Sequence, residues 1–261
     1  MGDAETGLHE KLQGGYRFDS AVFSPPYNMD VEYDVYDDAK TREDYLYSSF
    51  VMAQMLAHCA HEKSVIWLQM GPNHVDFALP YDVLKQYKDA GWRLYNQIAW
   101  IKSGTFPQKD GSEASFGHYR PMNSNIYLHR AWEWVFMLAL DAKNTVTVDK
   151  LALGVPYADQ SNAKRWENEA GMRCRGNVWF CKHATTQKSA HPCTFPVELV
   201  ENCLKLQGLK PGSAVLDPYC GTGATAEAAH KLGMNFLGYD LSADYIKEAT
   251  KRPLGDEVYV R

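Results

Sequence analysis

Ser24-Pro25-Pro26-Tyr27 sets a hydroxyl, a backbone carbonyl and an aromatic ring together at the end of the apolar run Phe18 to Phe23. That set suits chemistry on the exocyclic amine of a nucleobase. The lone pair of such an amine is conjugated with the ring, so the nitrogen is a poor nucleophile. Acceptors for both N–H groups draw it toward a tetrahedral shape and free the lone pair, and the Ser24 hydroxyl and Pro25 carbonyl are acceptors of the right kind. Tyr27 can stack on a base that has left its helix, a contact typically worth ~1–3 kcal/mol. With an activated methyl donor, positioning for in-line attack is most of the remaining work, and no covalent enzyme intermediate is needed. Taken alone, the tetrapeptide is equally a proline turn with Tyr27 in the core.

A second segment, Val215-Leu216-Asp217-Pro218-Tyr219-Cys220-Gly221-Thr222-Gly223-Ala224-Thr225, joins a strand to a helix. Gly221 and Gly223 let the backbone turn tightly and come close to a ligand at the strand's carboxyl end. Asp240 ends the next strand, 23 residues after Asp217, where a carboxylate can accept from ribose hydroxyls. The third glycine of a dinucleotide fingerprint is missing, and no Gly-Lys-Ser/Thr follows as in a P-loop. Two glycines alone would merely close a βα unit. The Asp-Pro-aromatic prefix and the placed Asp240 point instead to a nucleoside cofactor.

The elements that must hold these residues alternate. Strands are predicted at 18–23, 64–70, 92–101 and 134–138, and again at 214–216 and 235–239. Helices are predicted at 42–61, 83–90, 196–206, 224–232 and 242–252, the last with Ser242 as N-cap. The turn at Pro25-Pro26 must leave the sheet, since proline cannot continue a ladder. This alternation implies an α/β fold with a largely parallel, doubly wound sheet. Both candidate motifs then lie at its carboxyl edge. From Asp141 to Arg175 the pattern is lost, which reads as an insertion. Order returns at Gly176 to Phe180.

Composition sets the outer bounds. The chain has 261 residues, 45% hydrophobic and 23% charged, which suits one large domain or one with an insertion. No apolar run reaches the ~18 residues of a membrane helix. The first residues are polar and acidic, unlike a secretory signal, so a cytosolic setting is expected. Six cysteines include no CxxC pair, which speaks against a zinc site and for reduced, mostly buried thiols. The net charge of −5 disfavours nucleic acid, but its distribution softens that. Residues 1–60 hold 4 basic and 11 acidic side chains, and residues 102–188 hold 12 basic and 8 acidic. A local basic region can meet phosphates on an acidic body. His118, His129 and His183 have no metal-ligand spacing and read as structural. The stripe Trp132-Trp134-Phe136 reads as packing.

These residues resemble a known family. The chain is similar, over nearly its whole length, to the exocyclic-amino DNA methyltransferases of prokaryotic and viral restriction–modification systems. Its motif order, with Ser24–Tyr27 early and Asp217–Gly223 late, resembles the permuted β group. His191-Pro192-Cys193-Thr194-Phe195-Pro196 resembles the family's His-Pro-x-x-Phe-Pro element, which lines the cofactor site. Gly2-Asp3-Ala4 resembles the element whose Asp meets the cofactor's adenine. Asn28 and Tyr45-Leu46 also fit the pattern. Tyr219 stands where the family usually has Phe. Ser24 stands where adenine-N6 enzymes mostly have Asp or Asn, and Ser-Pro-Pro-Tyr is similar to the cytosine-N4 enzymes.

The resemblance implies a Rossmann-like, mostly parallel seven-stranded methyltransferase sheet in a single catalytic domain over 1–261. S-adenosylmethionine is then the cofactor, held by Asp3, His191, Pro192, Thr194, Phe195, Asp217, Pro218, Tyr219, Gly221, Thr222, Gly223 and Asp240. Ser24, Pro25, Pro26 and Tyr27 are the catalytic residues, acting on cytosine N4 in preference to adenine N6. Target recognition falls in an insertion over 141–188, where Lys164, Arg165, Arg173, Arg175 and Lys182 would meet DNA. The loop Ser103 to Arg120, with Lys102 and Lys109, is a second approach to DNA. Double-stranded DNA is the implied partner. A homodimer and a cognate restriction endonuclease are admitted, and no metal or membrane is required. The implied setting is the cytoplasm of a prokaryotic cell or of a virus-infected host. Activity on RNA or on a protein glutamine, a non-catalytic DNA-binding subunit and a small-molecule methyltransferase are the remaining alternatives.

Overall fold

The computed structural model describes residues 4–72, 76–117, 123–140, 146–165, 171–182, 195–252 and 258–260. In chain order the elements are α1 (Ala4–Gln13), β1 (Phe18–Phe23), α2 (Arg42–Cys59), β2 (Ala60–Met70), α3 (Leu79–Asp89), β3 (Arg93–Ile101), β4 (Gly104–Pro107), β5 (Glu113–Phe116) and β6 (Trp132–Ala139). There follow β7 (Val155–Pro156), α4 (Ser161–Arg165), β8 (Met172–Arg173), β9 (Val178–Phe180), α5 (Val197–Gln207), β10 (Ala214–Asp217), α6 (Ala224–Lys231), β11 (Asn235–Gly238), α7 (Ala243–Ala249) and β12 (Val258–Val260).

The main sheet runs β12-β11-β10-β1-β2-β6-β3-β9. Only the pairings of β6, with β2 and with β3, are antiparallel. The doubly wound sheet expected from the sequence is therefore present, with the short β9 joining the far edge beside β3 as an eighth strand. Side chains of its central strands alternate between two cores. Ala21, Phe23, Ile66, Leu68, Phe136 and Leu138 face α1, α2 and α3, together with Leu8, Met52, Leu56 and Val83. Val22, Val65, Trp67, Val135 and Met137 face α5 and α6, together with Leu199, Cys203, Leu204 and Ala228. Burial on both faces explains why Val65 to Met70 is almost continuously apolar.

Parallel register sets β1 beside β10, with Ser20 opposite Val215 and Ala21 opposite Leu216. From β10 the chain crosses to β11 on one side, and from β1 it crosses to β2 on the other. The loops after two adjacent strands thus diverge and open a crevice at their carboxyl ends, the usual ligand position in such sheets. Ser24 and Pro218 are the first residues past those two ends.

Several elements went unforeseen. The polar N-terminal stretch forms α1, which buries Leu8 completely. A Cβ on Gly7 would lie 2.2 Å from the Tyr239 ring, so only glycine lets this helix lie against the end of β11. The loop after Ser103 is a hairpin of β4 and β5, pinned by Phe106 and Phe116 against Phe180 at ring distances of 5.4 and 5.7 Å. The patternless region holds the small β7–β8 ladder and α4. Trp134 and Phe136 pack as expected, but Trp132 is 39% exposed and stands edge-on to Trp134. Cys59, Cys181, Cys203 and Cys220 are buried free thiols, whereas Cys174 is exposed.

Candidate active site

The tetrapeptide is fixed from behind. Pro25 is buried, and the Tyr45 phenol on α2 donates to the Pro26 carbonyl at 2.6 Å. Burial pushes the Tyr45 hydroxyl well above its ordinary range, so it remains a donor. In front, Ser24 Oγ donates to Tyr27 Oη at 3.2 Å, and Tyr27 Oη donates to Gln69 Oε1 at 2.9 Å. Glu133 Oε2 lies 3.3 Å from the same phenol and accepts from Gln69 Nε2. Its other oxygen is paired with the Lys102 ammonium. Side chains from the ends of β1, β2, β3 and β6 thereby meet in one hydrogen-bonded row.

The loop after Tyr27 is knitted by Asp38, which is 3% exposed and accepts from the backbone N–H of Asn28, Met29 and Val31. Asn28 and Asp30 take positive φ values of 53° and 55°, conformations that Asn and Asp tolerate better than most residues. Asn28 also bonds Lys40 through both its side-chain oxygen and nitrogen. Burial next to Asp38 and Asp37 pushes the Tyr36 hydroxyl up to about 12. The far side of this loop reaches the second motif, where Ser242 Oγ donates to Asp34.

That second motif is a self-bonded turn. Cys220 N–H donates to the Tyr239 carbonyl at 2.9 Å, and Tyr239 N–H donates to the Asp217 carbonyl at 3.0 Å. Asp240 accepts from Gly221 N–H and Ser242 N–H, both at 2.9 Å. Burial raises its carboxyl above the usual range, with Asp34 adding to the shift. Gly223 has φ 82°, and a Cβ there would come within 2.9 Å of Ala249 Cβ. Asp217 lies beneath the turn rather than in its mouth. It is 1% exposed, accepts from Thr225 Oγ1 at 2.6 Å and from Tyr219 N–H at 2.9 Å, and burial pushes its carboxyl up to about 7.

The remaining sequence-named residues divide. Phe195 is half-buried against the core that includes Val22 and Leu199. Pro218, Gly221 and Thr222 are buried in the turn, and Tyr219 is half-buried beside Phe23. Lys164, Arg165, Arg173 and Lys182 are exposed, and Arg175 is partly buried. Asp3, His191, Pro192 and Thr194 lie outside the described residues, as do His118 and His183. Lys102 is corrected: its ammonium is paired with Glu133 and its side chain is only 15% exposed, which takes it out of the expected approach to DNA.

Gln69 and Glu133 were not singled out in the sequence, which assigns Lys102 to an approach to DNA rather than to this row. Two signals were nevertheless present there, a lone amide inside the apolar strand Val65 to Met70 and a lone carboxylate between Trp132 and Trp134.

Strand order, the antiparallel β6 and the crevice between β10 and β1 define the methyltransferase class of Rossmann-like folds. Comparison with known proteins gives the family. Residues 18–251 match the N6_N4_Mtase family, described as DNA methylase, and the chain belongs to it. The type II methyltransferase M.Cfr9I of Citrobacter freundii is 27% identical over 184 residues, which is 70% of this chain and 51% of that protein. This chain therefore spans about half the length of that relative. Among solved structures, PvuII DNA methyltransferase (cytosine-N4-specific) shares the fold with a TM-score of 0.69 at 14% identity, covering 99% of this chain and 86% of its own. The M1.HpyAVI–SAM complex matches with a TM-score of 0.60 at 16% identity, covering 96% of both chains.

Proposed function

We propose that this DNA methylase binds S-adenosylmethionine at the Asp217–Gly223 turn and methylates the exocyclic N4 of a cytosine flipped out of double-stranded DNA. The observation that carries this reading is the pairing of sites across β10 and β1. A hydroxyl–phenol pair, Ser24 and Tyr27, stands one strand away from a glycine turn backed by a carboxylate.

The chain's residues fit the cofactor. Asp240 spends one oxygen on each of two backbone N–H groups and keeps lone pairs for ribose hydroxyls. Gly7 of α1 packs on the ring of Tyr239, the residue before Asp240, and an adenine contact is proposed for Asp3, which lies outside the described residues. Phe195 contributes an apolar wall. When bound, S-adenosylmethionine supplies a methyl group already activated on a sulfonium.

The protein's part is to hold the base. Ser24 Oγ and the Pro25 carbonyl accept the two N–H groups of the amine, and the Tyr27 ring stacks on the base. The segment over 141–188 supplies target recognition, with the exposed Lys164, Arg165, Arg173 and Lys182, and with Arg175, toward phosphates and base edges.

Mass spectrometry of nucleosides from DNA incubated with the protein and S-adenosylmethionine tests the reading. N4-methylcytosine is expected. N6-methyladenine would overturn the base assignment while leaving the DNA methylase reading intact, and no methylated base on DNA of varied sequence would overturn the activity.

A further inference from the structure

Five side chains under the proposed base pocket form a hydrogen-bonded row whose direction is fixed by its far end. Glu133 has only acceptor oxygens as a carboxylate, and one of them faces the Lys102 ammonium. The other is an acceptor too, so the end of the Gln69 amide that faces it is the nitrogen. That turns Gln69 Oε1 toward Tyr27, so the phenol faces two acceptors and gives its single proton to that side, with Gln69 Oε1 at 2.9 Å and Glu133 Oε2 at 3.3 Å. Tyr27 Oη is then left as an acceptor, and the proton it takes is that of Ser24 Oγ, at 3.2 Å. With its own proton spent, Ser24 has only lone pairs to offer.

We infer that Glu133, held by Lys102 and acting through Gln69 and Tyr27, is a positioning residue that keeps the Ser24 hydroxyl an acceptor toward the target amine. This inference rests on the reading of the site proposed above and goes one layer deeper. A serine hydroxyl, unlike a carboxylate or the carbonyl of an amide, can present either a proton or a lone pair. An amine that must give up hydrogen bonds gains nothing from a donor. The row removes that ambiguity, and its placement favours it energetically: Gln69 is 4% exposed, and Glu133 and Lys102 side chains are 14% and 15% exposed, so water competes little with the bonds that orient it.

Exchange of the carboxylate reverses the row without changing its shape. In Glu133→Gln the side-chain oxygen must face Lys102, so its NH₂ faces Gln69. Gln69 turns over to accept, its own NH₂ then faces Tyr27, and the phenol proton swings to Ser24. Ser24 then points its proton at the amine.

Steady-state kinetics with S-adenosylmethionine and DNA, on the full chain, test this. Glu133→Gln should lower kcat at least about 10-fold, while KM for DNA and the Kd for S-adenosylmethionine stay within about 2-fold. The double variant Gln69→Glu/Glu133→Gln moves the carboxylate one place along. It again makes Tyr27 a donor and leaves an amide oxygen for Lys102, so it should recover most of the lost kcat. Loss of kcat in Glu133→Gln with recovery in the double variant supports the inference, since a merely structural charge would not be rescued by relocation. Wild-type kcat in Glu133→Gln, or a folded double variant no better than the single one, overturns it. A wild-type protein that methylates no base on DNA overturns the proposed function, and this inference with it.

Discussion

The two motifs that face each other across β1 and β10 are stabilised in opposite ways. The Asp217–Gly223 turn is closed mostly by its own neighbourhood. Backbone bonds tie Cys220 to Tyr239 and Tyr239 to Asp217, and Asp240 caps Gly221 from the next strand. The Ser24–Tyr27 motif leans on side chains far away in sequence, Gln69 at 42 residues and Glu133 at 106 residues from Tyr27. One side is a backbone cradle for a ligand of fixed shape. The other is a polar row whose proton direction matters. Damage to the first should appear in affinity, and damage to the second in turnover.

The largest effect is expected from Tyr27→Ala. It removes the proposed stacking ring and also the link between Ser24 and Gln69. Methylation should fall at least ~100-fold, in line with the sensitivity of reactions to misplacement of about 1 Å. Calorimetric titration should show S-adenosylmethionine binding unchanged. Loss of cofactor binding in this variant would erase the division between the two sides.

Asp240→Ala strikes the cradle. It removes the acceptor for Gly221 N–H and Ser242 N–H together with the proposed ribose contact. Bonds to a charged group are typically worth about 1.5–3 kcal/mol, so the cofactor Kd should rise about 10- to 100-fold. Turnover at saturating cofactor should change far less. An unchanged Kd would sink the ribose assignment.

The same contrast explains what was legible in the sequence. Local features announce themselves: a glycine beside a strand end, a proline that cannot pair, a capping Ser242 that does accept from Tyr245 N–H. The strands that carry both motifs fall where periodicity puts them, because burial on both faces writes a continuous apolar run. The row under Ser24 was not legible, because its partners converge only once β2, β3 and β6 are laid side by side. The short β7–β8 ladder and α4 carry too few residues for periodicity to register. Lys102 misled for a related reason. A lysine in a polar loop reads as solvated, and only its register beside Glu133 turns it inward.

The smallest effect, and the one confined to the cradle's foundation, concerns Asp217. Burial pushes its carboxyl up to about 7, against ~3.9 for an unfolded chain. Between those values the folded protein keeps a proton that the unfolded chain has lost. The group's contribution to stability is thus full below about pH 4 and is lost as pH rises through about 7. Asp217→Asn does not titrate. Its oxygen can still accept from Tyr219 N–H, and its NH₂ can donate to Thr225 Oγ1, whose own proton has the Val22 carbonyl at 3.2 Å. Activity should be nearly unchanged. Urea midpoints of the two proteins, measured at pH 5 and pH 8, should move apart in the variant's favour at the higher pH. A constant gap would mean that the carboxylate stays charged where it sits. Water or a cation would then reach beneath the turn, and the cradle would be less self-contained than the row opposite.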